Sequence, residues 1–70
     1  MIDPVTRAVM EALEAFVDRH GMAEVLDCLS TICSEKAEHV RSAWQDEMLA
    51  KAWDRDAATL DRARARVTAL

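Results

Sequence analysis

The stretch Lys36–Asp56 reads KAEHVRSAWQDEMLAKAWDRD, and it decides whether the chain holds two long helices or three. No Gly or Pro interrupts it, so one unbroken helix from 23 to 68 is the first reading. The second is a break. Ser42 with Gln45 three residues later resembles a capping box, and Asp46 followed by Glu47 resembles a helix start in which a short acid accepts from a free backbone N–H. The flanking apolar stripes favour the break. Met22, Val25/Leu26, Leu29, Ile32/Cys33, Val40 and Ala43/Trp44 recur at helical spacing before it. Leu49, Ala52/Trp53, Leu60, Ala63, Val67 and Leu70 recur after it. A single helix would leave each stripe without the other and would demand a second molecule. Folding back near residue 46 sets Val40 opposite Trp53, Cys33 opposite Leu60, Leu29 opposite Ala63, Leu26 opposite Val67 and Met22 opposite Leu70.

In that register Lys36 meets Asp56, one opposite-charge pair in an otherwise apolar seam. The expectation is a structural ion pair that aligns the two helices. Its net stabilisation is small, because desolvation offsets the attraction. Two other readings of Lys36 stay open. Its aliphatic stem packs while the amine reaches water, or it is a desolvated catalytic amine. A neighbouring carboxylate disfavours the last, since it holds the amine charged.

Working outward, Asp3 before Pro4 predicts a helix start, with Asp as N-cap and Pro in the first turn. Val5, Val9, Ala12/Leu13, Phe16 and Val17 then share one broad face. Arg19 and His20 suit the negative end of the helix dipole, and Gly21 is placed to end the helix. The first half of helix 2 is apolar on two sides, as a central helix with two neighbours requires. After Cys33 one side turns polar with Glu35 and His39, at the level where an antiparallel helix 1 should run out. The expected fold is all-α: a single domain over residues 1–70, with three antiparallel helices at about 4–20, 22–43 and 46–68, as a monomer or a dimer.

Composition supports this class. Gly and Pro occur once each, Tyr is absent and Phe occurs once, so a β fold lacks its turn and strand residues. Seventy residues bury only roughly 60% of the unfolded surface, which leaves a marginal core in need of a staple or a partner. Cys28 and Cys33 do not supply the staple. Five residues apart on one helix, they lie roughly 7.5 Å apart along the axis and point to different sides. Two free thiols fit a reducing cytoplasm. Neither a secretory leader nor a membrane span of about 20 apolar residues is legible. The net charge of −4 is concentrated in the first half of the chain and argues against phosphate or nucleic-acid binding.

Few residue sets suggest chemistry. Glu35, Glu38 and His39 share a helix face and offer carboxylate and imidazole ligands for iron or manganese. Facing-helix di-iron sites use Glu-x-x-His twice, however, and here a symmetric dimer would have to complete the set. A solvated face is the simpler reading. The cysteines form no CxxC pair and have no activating His or Asn in a recognisable pattern, so they read as small core hydrophobes. Lys51, Arg55, Arg62 and Arg66 make a basic stripe, which Asp54 and Asp61 dilute. Trp53 falls on the seam. Met10, Trp44 and Met48 are left over as candidates for a partner surface.

The segment Ser34–Ala57, SEKAEHVRSAWQDEMLAKAWDRDA, resembles segments of short uncharacterised helical proteins of bacteria and their phages. The resemblance covers about a third of the chain. It implies an accessory or mobile-element protein, and it transfers no activity and no site residue. The expected function is therefore a non-catalytic interaction or oligomerisation module in the cytoplasm. It takes no cofactor or catalytic residue, and its partner is another protein or a second copy rather than membrane or nucleic acid. The alternatives are a ferritin-like metal-binding dimer and a weak DNA-binding regulator.

Overall fold

The structure is a computed structural model that describes residues 2–68. It is all-α, with three helices among the described residues: α1 (Pro4–His20), α2 (Met22–His39) and α3 (Glu47–Arg64). At the start of α1 the Asp3 carboxylate accepts from the Thr6 backbone N–H at 2.9 Å and from the Thr6 hydroxyl at 3.1 Å. Gly21 alone connects α1 to α2, at φ 83° and ψ 161°. A Cβ makes that backbone region nearly inaccessible, which is why glycine stands there.

The break at the second corner is real. After His39 the backbone widens into one π-helical turn, Val40–Trp44. Gln45 then adopts a left-handed conformation, φ 53°. Asp46 caps α3 by accepting from the Leu49 N–H at 3.0 Å. Ser42 does not cap it: its hydroxyl donates back to the Glu38 carbonyl at 2.9 Å. Helix α3 ends at Arg64, four residues before the expected 68.

α2 and α3 run antiparallel and make most of the tertiary contact, while α1 touches α2 and not α3. The seam is built from small side chains. Ala37 and Ala50 are 1% and 0% exposed, and with Val40 they form the core cluster against which Trp53 packs. Ser30, Cys33 and Ala57 are buried along the same line. Methyl-sized groups let two helix backbones come close. The Ser30 hydroxyl reaches across to the Ala57 carbonyl oxygen at 3.2 Å and to the Asp61 carboxylate at 2.6 Å.

This seam corrects the expected one. The inward positions of α2 are Ser30, Cys33, Ala37 and Val40, and each one-residue step turns a helix by roughly 100°. Lys36 therefore stands off the seam beside Ala37, and Asp56 beside Ala57. Both are exposed, and the ion pairs among the described residues run elsewhere. Trp53 packs against the core cluster of which Val40 is a member. The Met22–Leu70 pairing lies outside the described residues.

Candidate functional site: an apolar cleft between the first two helices

The exposed faces follow from helix geometry. On α1, Val5, Val9, Leu13 and Phe16 fall along one side, three or four residues apart. No residue of this helix is buried; Val5 is 75% exposed and Phe16 55%. On α2, Val25, Cys28 and Ile32 lie on a face turned away from the α3 seam, and Leu29 stands between that face and the seam. α1 covers only part of that face. What remains is an open cleft of about 380 Å³ lined by Leu13, Phe16, Val25, Cys28, Leu29 and Ile32, with His20 and Glu24 at its edge. His20 Nδ1 and the Glu24 carboxylate are 3.2 Å apart, one turn from each other across the Gly21 corner.

The charges of α1 are placed elsewhere. Arg7, Glu11, Glu14 and Asp18 project from the side opposite the apolar stripe. The cleft thus offers apolar surface with one imidazole–carboxylate pair. Cys28 is an exposed thiol in its wall, and Cys33 is buried in the α2–α3 seam.

Next to the cleft, Ile32, Glu35, Lys36 and His39 line a shallower depression. Glu38 is directed instead toward Arg41, at 3.9 Å. Among the described residues no three His, Cys, Asp or Glu side chains are gathered in a way that could hold a metal ion. The candidate set Glu35, Glu38 and His39 is thus divided between two surroundings.

Met10, Trp44 and Met48 are all exposed, Trp44 by 72% and Met48 by 84%. They do not form one surface. Trp44 and Met48 stand at the corner between α2 and α3, whereas Met10 is on α1, which contacts neither the π-helical turn nor α3. The basic stripe is partly engaged: Arg62 donates to the Thr59 hydroxyl at 3.1 Å. No described helix is long and apolar enough to cross a membrane.

The strongest polar constellation had no place in the stripe pattern. Arg41 donates through Nε to Glu47 at 2.9 Å and through Nη2 to Asp54 at 2.9 Å. These bonds tie the π-helical turn to Glu47 in the first turn of α3 and to Asp54 further along it. They raise the Arg41 pKa, Glu47 contributing most, and they hold the Glu47 carboxyl below its usual 4.5. Arg41 is an architectural group at the corner, far from the cleft. Of the cleft residues, Leu29 was expected opposite Ala63 of α3, whereas Val25, Cys28 and Ile32 fall on the other apolar side of α2.

Comparison of the chain with family models, with curated proteins and with solved structures finds no match.

Proposed function

We propose that this protein is a non-catalytic helical interaction module whose contact surface is the apolar cleft formed by α1 and α2. One observation carries the reading: α1 is a regular 17-residue helix that buries none of its residues within the chain. A helix in a protein takes most of its stability from packing of its apolar face. Val5, Val9, Leu13 and Phe16 are only partly covered, remaining 46–75% exposed, and the facing wall of α2 is largely apolar. Contiguous apolar surface of this kind marks a site of protein association. Neither metal binding nor DNA binding gains an observation of its own, because Glu38 leaves the ligand set for Arg41 and the basic side chains of α3 are interleaved with acids.

A photo-crosslinking amino acid at position 9, on the stripe, and at position 58, on the exposed side of α3, tests this in the cell that makes the protein. Discrete protein adducts are expected from position 9 and none from position 58. The same diffuse labelling from both positions would refute the assignment of the surface.

A further inference from the structure

We infer that the cleft is filled by a second copy of this chain, each molecule laying its α1 into the cleft of the other about a twofold axis. The inference rests on the interaction reading above and names its partner.

Area is the first reason. A folded monomer of 7.8 kDa should expose about 4,400 Å². This chain exposes 5711 Å². The excess, about 1,300 Å², surpasses the roughly 800 Å² per partner of a stable interface. The radius of gyration agrees: it is 14.3 Å, against about 11 Å for a compact chain of this length. The missing burial is of the size that one more copy supplies, and Val5, Val9, Leu13, Phe16, Leu29 and Ile32 are among the large apolar residues left exposed.

Shape is the second reason. A twofold interface must present one patch that complements itself. Here the patch has a ridge, Val5, Val9, Leu13 and Phe16, whose last two side chains also form the α1 wall of a hollow closed on the other side by Val25, Leu29 and Ile32 of α2. The ridge of one molecule fits the hollow of the other, and the operation repeats in reverse. The α3 seam stays intact throughout, because it lies on another side of α2.

Charge is the third. Each chain carries −4, so two copies repel at long range. The repelling acids of α1, Glu11, Glu14 and Asp18, project away from the ridge. The patch therefore closes without setting like charges face to face. Glu24 is the acid at the edge of the cleft, and it stands 3.2 Å from His20 of the same chain.

Sedimentation across a concentration series, on the purified full chain, tests the inference. The expected result is a reversible species of twice the 7.8 kDa chain mass. Leu13→Asp should raise the dissociation constant at least about 30-fold, as loss of a buried anchor does. Val9→Asp serves as a second variant with the same expectation, and Ala58→Asp should leave association unchanged. Raising the salt concentration should strengthen the dimer by screening the net repulsion, whereas it would weaken a complex with a basic partner. A wild-type monomer at every concentration would overturn the inference, as would a dimer indifferent to both ridge substitutions. If that monomer still gave discrete adducts from position 9 with a different protein, the interaction reading would stand and only the self-pairing would fall. Absence of adducts from position 9 would remove both.

Discussion

Ala37→Leu is the sharpest probe of how α2 meets α3. Ala37 is 1% exposed and faces Ala50, which is fully buried. Leucine adds three carbon atoms to a place with no room for them. Helix propensity barely changes, since Ala and Leu both favour helix, so any loss reports packing. The added atoms must force the backbones apart. The nearby bond from the Ser30 hydroxyl to the Ala57 carbonyl, 3.2 Å long, tolerates little separation. Overpacking of this kind costs about 1–3 kcal/mol. A domain of this size has a total stability of roughly 4–10 kcal/mol, so the loss is a large fraction. At about 4–8 °C per kcal/mol, a cost near the middle of that range lowers the melting temperature by roughly 8–16 °C. The comparison is Lys36→Leu, one residue away and exposed, which should change stability by no more than about 0.5 kcal/mol. Circular dichroism melts at one fixed protein concentration measure both, because dimerisation would otherwise shift the midpoint. Lys36→Leu destabilising more than Ala37→Leu would show that the seam runs through Lys36 and would refute the small-residue packing.

Two further outcomes follow from the polar contacts of the α2–α3 hairpin. Ser30→Ala removes a hydroxyl that donates to the Asp61 carboxylate at 2.6 Å and to the Ala57 carbonyl; urea unfolding should register a loss of about 1 kcal/mol, because exposed Asp61 recovers water. In acid, the Glu47 carboxyl is depressed below 4.5 by its bond from Arg41, and the Asp3 carboxyl is lowered by the Thr6 backbone N–H. A pKa lower in the folded than in the unfolded chain gives stability that is full above the unfolded value and is lost as pH falls through the folded one. Melting temperature should therefore decline below about pH 4.5, and Arg41→Gln should remove the Glu47 share of that decline while leaving the Asp3 share. An identical acid profile in the variant would show that the Arg41 bonds do not persist in solution.

The parts of the fold legible in the sequence are those governed by local chemistry. Asp3 and Pro4 start α1, Gly21 ends it, and Asp46 caps α3, because each satisfies or terminates a backbone within a few residues of itself. The turn at 40–45 was harder to see. It reverses the chain with a π-helical turn and a left-handed Gln45 rather than with Gly or Pro. The cleft was visible as an excess of apolar residues on α2, but was taken to be covered. Spacing shows that Val25 and Ile32 lie on a different side from Ser30 and Ala37; it does not show which side α3 takes. The stripe expected to meet α3 includes Cys33 and Val40, which are buried there; the close backbone approach over Ser30, Ala37 and Ala57 is what the large side chains did not show.

By itself, the sequence determined an all-α chain and the first corner at Gly21, and it favoured the second corner near residue 46 over one long helix, because helix periodicity and capping act over one to four residues. Tertiary structure decided which stripe of α2 is core and which is surface. Two antiparallel helices come closest where side chains are smallest, so Ala37, Ala50 and Ala57 were buried and Lys36 and Asp56 were turned outward. The larger apolar residues of α1 and α2 were then left facing a cleft that one chain does not fill.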